Sequence, residues 1–357
     1  MVNSGHKVSG VSLSIDRQGE LSPRALILGC AGHALSAGEA AFFRETDPAG
    51  FILFARNIEN PVQVRALVAE FRAVVGWNAP VLIDQEGGRV QRLRPPHWRS
   101  APPALRFAAL FERDERAGKR ATWLNARLIA SELAGLGIDV DCSPVLDMPV
   151  EGAHDIIGDR AYGRTTTSIV TLGRAVCDGL LAGGVLPVIK HLPGHGRARA
   201  DSHEECPIVE TSAEELERTD FEPFRQVADA PFAMTAHVLY TALDADRVAT
   251  LSPTVIEEVI RHRIGYDNCL MSDDLSMKAL RGHLRSRAED ALAAGCDLLL
   301  HCNGDMSEMA QIAAVTPRLS GVALRRFDAA IDRRHPPQPF DPEASLDELN
   351  QLLGAVA

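Results

Sequence analysis

Residues 190–205 read KHLPGHGRARADSHEE and bring Lys190, His191, His195, Asp201 and His203 together around a Pro-Gly turn. Side chains of these types can hold a metal ion, bind phosphate or move a proton, so their spacing has to decide. A zinc site needs three or four donors held rigidly. Here Pro193, Gly194, Gly196 and the Arg-Ala-Arg-Ala run describe a mobile segment, and no His-x-His or His-Glu-x-x-His pair fixes donors on a regular element. Asp201 and His203, two residues apart, suit proton transfer better. In a tight turn the carboxylate orients the imidazole, raises its basicity and stabilises its charged form, which is what a general acid/base requires.

Two more stretches carry chemistry. MSDDLSM (271–277) sets Asp273 and Asp274 at the end of an apolar run. One carboxylate can cap the following helix through backbone N–H groups, and the other can face a pocket as a nucleophile or electrostatic stabiliser. Alternation along a strand would point the two in opposite directions without saying which is which. DQEGGRVQRLR (84–94) has a glycine pair but neither the Gly-x-x-x-x-Gly-Lys nor the Gly-x-Gly-x-x-Gly spacing of a phosphate loop. Its better reading sends Asp84 and Arg92 into a pocket while Gly87 and Gly88 turn the chain sharply; the plainer one is an exposed, salt-bridged turn.

These residues need a scaffold, and the apolar runs supply one. ALILGC (25–30), GFILFA (50–55), PVLID (80–84), IDVDCS (138–143), VLPVIKH (185–191), PFAMTAH (231–237), NCLMSDD (268–274) and CDLLLHC (296–302) read as eight strands. Amphipathic segments such as PVQVRALVAEFRAVVG, SIVTLGRAVCDGLLAGG, SPTVIEEVIRHRIGY and SRAEDALAAGCD separate them as helices. Strands too apolar to face water, alternating with helices, imply a parallel sheet covered by helices. Eight repeats fit an α/β fold, a single (β/α)8 TIM-type barrel; an open doubly wound sheet is the alternative. Asp84, Asp147, Lys190, His191, His237, Asp273 and Asp274 all end strands, so a barrel gathers them on one rim, where active sites of this architecture sit. The long segments after the third and fifth strands fall on the same face. Residues 1–22 read as an N-terminal extension, and 23–357 as one catalytic barrel ending in a Pro-rich segment (RRHPPQPFDPEAS) and a short helix.

Composition narrows the partners. With 37 Lys and Arg against 48 Asp and Glu, the formal net charge of -11 disfavours nucleic acid and anionic membranes, because phosphate neutralisation needs a surplus of positive charge. No run has the length of a signal peptide or a membrane span, so the chain reads as a cytoplasmic protein acting on a small molecule. Seven cysteines without a Cys-x-x-Cys pair suit reduced core thiols.

Taken together, IDQEGGRVQRL, IGDRAYG, KHLPGHGRARADSH and MSDDLSM resemble the glycoside hydrolase family 3 β-N-acetylglucosaminidases of bacterial peptidoglycan recycling, in order and over nearly the whole chain from Ala25 to the last strand. The resemblance implies a (β/α)8 barrel with neither cofactor nor metal, acting as a monomer on a carbohydrate such as GlcNAc-anhydroMurNAc and its peptides. It makes Asp273 the nucleophile, His203 the acid/base and Asp201 the partner of that histidine. Asp84, Arg92, Arg160, Lys190 and His191 match the residues that hold the terminal sugar. Leu192 departs from the Phe usual in KHFPGHG, which puts a packing contact in question. A metal-dependent amidohydrolase-type barrel and a catalytically silent sugar-binding barrel are the competing readings.

Overall fold

Each of the eight apolar runs forms a strand in the computed structural model, which describes residues 22–354; apart from Ser22, the N-terminal extension lies outside the described residues. The strands are Arg24–Leu28, Pro48–Leu53, Val81–Ile83, Val140–Asp141, Leu186–Leu192, Phe232–Thr235, Cys269–Asp274 and Leu298–His301. They pair in parallel with their neighbours in chain order, and the first pairs with the eighth (Leu26 opposite Leu299), closing the barrel. The open-sheet alternative is thereby overturned.

Period-two alternation, invisible in runs that are apolar throughout, sorts the side chains into two cores. Ile27, Ile52, Leu82, Val188, Met271 and Leu300 fill the barrel interior. Leu26, Leu28, Phe51, Ile83, Ile189 and Leu299 point outward and pack beneath the helices. The helices begin and end as their sequences specify. Asn60 caps Pro61–Val75 by accepting from Val62 and Gln63 N–H, and Gly76 ends that helix at φ 78°. Thr165 caps Thr166–Ala182 through Ser168 N–H. The segment expected as an ordinary helix at SPTVIEEVIRHRIGY is instead a π-helix, Val255–Arg263, which buries Val255, Ile256, Val259 and Ile260.

The excursion after the third strand folds back as a small hairpin, Gln85–Gly87 against Val90–Gln91, turning at Gly87 (φ 98°) and Gly88 (φ 58°). A Cβ at Gly87 would lie 2.4 Å from the Pro102 carbonyl oxygen, so this turn requires glycine both for its dihedral and for space. The excursion after the fifth strand passes through residues 193–207 to Ile208–Val209, which pairs with Leu239–Tyr240. At the opposite end, the Pro-rich segment runs beneath the strand starts. Arg334 bonds Asp139 Oδ2 at 2.8 Å and the Asn78 carbonyl, Gln338 N–H bonds the Ala182 carbonyl, and Arg127 lies 4.1 Å over the Phe340 ring. The final helix, Pro342–Gly354, packs on Glu115–Ala134.

Candidate active site

At the C-terminal ends of the strands a cavity of about 310 Å³ is lined by Asp84, Arg92, Arg160, Lys190, His191, His203 and Asp273, with Phe54, His195, Asp274, Met277 and Cys302 among its other walls. Asp201 is not part of the lining; it stands behind His203.

One wall is an alternating chain of charges. Arg92 Nη2 bonds Asp84 Oδ2 at 2.9 Å, Asp84 Oδ1 takes Lys190 Nζ at 2.8 Å, Lys190 also reaches Glu86 Oε1 at 2.7 Å, and Glu86 takes Arg160 through two bonds of 2.9 Å. Burial raises a carboxyl's pKa, yet Lys190 and Arg92 overcome it at Asp84 and hold that group well below its usual range. At Glu86, Arg160 and Lys190 likewise win over burial and bring the carboxyl down to about 2. Lys190 is held above its ordinary value, because Asp84 and Glu86 outweigh the burial that would lower it. The chain therefore stays fully ionised in a buried place, three cations against two anions; Arg92 at one end and Arg160 at the other border the cavity, Arg160 held by Glu86 and, through Nη1, by the Ile156 carbonyl at 3.1 Å. Glu86 was not singled out in the sequence. Its signal was there, a carboxylate two residues from Asp84 in the stretch that leaves the third strand.

His191 is fixed from behind by Asp147, which is wholly buried: its Oδ2 is 2.7 Å from His191 Nδ1, and its Oδ1 accepts from the backbone N–H of both His191 and His195. His191 outweighs burial and keeps the Asp147 carboxyl below its usual value. The imidazole's other nitrogen is left for the cavity. His195, also in the lining, is pressed by burial and by His191 down to about 4, so it is neutral; its Nε2 lies 3.2 Å from Ser202 Oγ, tying the loop to its base just before His203. Asp201 Oδ1 accepts both the backbone N–H of His203 (2.8 Å) and its Nδ1 (2.8 Å), the carboxylate–imidazole turn the spacing implied. The Asp201 carboxyl is held low because these bonds outweigh its burial. The His203 side chain is 64% exposed.

Asp273 and Asp274 do not simply point opposite ways. The register between the seventh and eighth strands shifts between Met271 and Asp274, which breaks alternation and brings both residues to the cavity wall. The Asp274 carboxylate caps no helix: it accepts from Ser276 N–H and Oγ and from Cys302 N–H, bracing a turn. Asp273 Oδ1 accepts the Asp274 N–H at 2.8 Å, and its carboxyl is held below its ordinary value in spite of burial. A half-buried, ionised carboxylate thus shares one small cavity with a partnered imidazole. Leu192 lies in the outer core, its carbonyl accepting from Ala236 N–H, away from these groups.

Residues 26–334 match the glycosyl hydrolase family 3 N-terminal domain. A beta-hexosaminidase of Nitrosomonas eutropha is 34% identical over 335 residues, 93% of this chain and 94% of that one. One of Alkalilimnicola ehrlichii is 39% identical over 282 residues, 78% of this chain and 80% of that one. Among solved structures, NagZ from Neisseria gonorrhoeae in complex with N-trifluoroacetyl-D-glucosamine superimposes with a TM-score of 0.85 at 28% identity, covering 93% of this chain and 99% of that one. Barrel, family model and full-length relatives agree that the chain is a glycoside hydrolase and belongs to glycosyl hydrolase family 3.

Proposed function

We propose that this hydrolase is a retaining exo-β-N-acetylglucosaminidase, a cytoplasmic monomer whose residues 23–357 work as one catalytic unit to release terminal GlcNAc from muropeptide fragments such as GlcNAc-anhydroMurNAc and its peptides during cell-wall recycling. The observation that carries this reading is the Asp273 carboxylate and the His203–Asp201 pair bordering one cavity. The beta-hexosaminidase names of the relatives and the N-trifluoroacetyl-D-glucosamine bound by the Neisseria protein support the sugar.

In the first half-reaction an Asp273 oxygen bonds to the anomeric carbon as the bond to the leaving oxygen breaks. The electron pair goes to that oxygen, which takes the proton from His203 Nε2. Asp201, bonded to Nδ1, fixes the ring and stabilises its charged form beforehand. In the second, neutral His203 removes a proton from water, the water oxygen bonds to the anomeric carbon, and the bond to Asp273 breaks. Two inversions leave the β configuration. The alternating charge chain and His191 bind sugar hydroxyls, and because their partners are already in place they need no reorganisation as charge develops.

The test is turnover of a chromogenic β-N-acetylglucosaminide with and without EDTA, with the fresh product followed by NMR. β-Anomer formed at an undiminished rate in EDTA supports the proposal. Initial α-anomer would remove Asp273 from its role, metal-restored activity would favour the amidohydrolase-type barrel, and GlcNAc binding without turnover the silent one. Faster release from GlcNAc-anhydroMurNAc peptides than from chitobiose tests the recycling substrate.

A further inference from the structure

Beneath the cavity, outside its lining, a circuit of hydrogen bonds runs from the amide of Asp273 to the carbonyl of Asp274. Asp273 N–H donates to Thr235 Oγ1 at 3.4 Å; Thr235 and Thr250 hydroxyl oxygens lie 2.7 Å apart; Thr250 Oγ1 is 2.7 Å from His237 Nδ1; and His237 Nε2 is 3.0 Å from the Asp274 carbonyl oxygen. Thr235, His237 and Thr250 are all fully buried.

The chemistry of the groups fixes the direction of every bond. A carbonyl only accepts, so His237 Nε2 carries a hydrogen. Burial disfavours a second proton on the ring, which leaves Nδ1 as an acceptor. Thr250 must then donate to Nδ1, in preference to its other acceptor, the Ala236 carbonyl at 3.1 Å. Thr235 spends its one hydrogen on Thr250, and its lone pairs are left for the Asp273 amide. No polar group in the circuit is wasted, and each donor is strengthened by the bond it accepts. Valine and phenylalanine would fill this space without the desolvation such groups incur.

We infer that His237, Thr250 and Thr235 are positioning residues that clamp the Asp273–Asp274 segment at both ends and so set where the Asp273 carboxylate stands. The inference rests on Asp273 being the nucleophile. A displacement of about 1 Å in a reacting group can cost on the order of a hundredfold in rate, so a clamp on two residues of backbone has kinetic weight.

Thr250→Val, Thr235→Val and their double mutant, with Thr250→Ser and His237→Gln, are assayed on 4-nitrophenyl N-acetyl-β-glucosaminide beside thermal melts. Thr250→Val should lower kcat by about 10- to 100-fold with KM within about twofold, the signature of an interaction realised in the transition state. Thr250→Ser should recover most of the rate, and the double mutant should be no slower than the worse single, because either change opens the same circuit. Thr250→Val with unchanged kcat, a loss carried by KM, or multiplying losses in the double mutant would overturn the inference. Should Thr250→Val not fold, His237→Gln decides by the same kcat-against-KM split, since its amide N–H can still reach the Asp274 carbonyl while its flexible chain no longer fixes an acceptor at the place of Nδ1. Asp273→Ala separates the two layers. Activity retained there sinks the nucleophile reading itself, whereas an inactive Asp273→Ala with an unimpaired Thr250→Val sinks only the circuit.

Discussion

Glu86→Gln is the most informative single perturbation, because it removes one charge from the middle of the buried chain while keeping the side chain's shape. Glu86 Oε1 is 2.7 Å from Lys190 Nζ and 2.9 Å from Arg160 Nη2, and the residue is only 7% exposed. The two cations are thus within about 6 Å of each other, and without the carboxylate they repel by roughly 3 kcal/mol at an effective dielectric of about 20. Breaking a buried pair by removing one partner costs about 3–5 kcal/mol by a separate route of reasoning, so the two agree. At about 1.3 °C per kcal/mol for a chain of 357 residues, the variant should melt about 4 °C or more below wild type at neutral pH. The loss should shrink on acidification. The Glu86 carboxyl is depressed from 4.5 to about 2, so its contribution is complete above its unfolded value and disappears as the pH falls through the folded one. KM should also rise, since Lys190 and Arg160 lose their common anchor. Thermal melts followed by circular dichroism at pH 7 and pH 3, with kinetics at pH 7, make the check. A variant melting within about 1 °C of wild type at pH 7, with unchanged kcat/KM, would refute the view that Glu86 ties these cations together.

Asp273→Ala should abolish turnover with little change in melting temperature. Asp274→Ala should lower the melting temperature, because Ser276 and Cys302 lose their acceptor; the reverse pattern would exchange the two roles. Burial raises the Asp141 carboxyl to about 8, and its Oδ1 accepts from Gln85 N–H. A raised carboxyl stabilises fully below its unfolded pKa and loses that contribution as the pH climbs through the folded one. Asp141→Asn should therefore gain on wild type in urea unfolding between about pH 4 and pH 9, and a pH-independent difference would contradict the assignment. Ser202→Ala removes the tie to His195 and should lower kcat/KM by about three- to tenfold, while the lost hydrogen bond should lower the melting temperature by no more than about 2 °C.

The eight strands, their helices and the barrel were legible in the sequence because a buried parallel strand must be apolar on both faces and its helix must carry an amphipathic stripe. The polar residues that end strands were legible too, since a polar residue closing an apolar run is conspicuous and the architecture assigns all such ends to one rim. Asp201 and His203 could be paired from spacing alone, because two residues within one turn meet locally. What needed the tertiary structure were relations between strands. Glu86 gains its meaning from Lys190 and Arg160, which come from other parts of the chain, and Asp147 from its place behind His191. The register shift that turns both Asp273 and Asp274 to the cavity arises in the pairing of the seventh strand with the eighth, a property of neither alone. Local sequence sets a residue's preference for helix, strand or turn through interactions within a few bonds. Which charges meet, and which proton lies between them, is decided only when closure of the barrel brings distant strand ends within hydrogen-bonding distance and removes the water that would otherwise screen them.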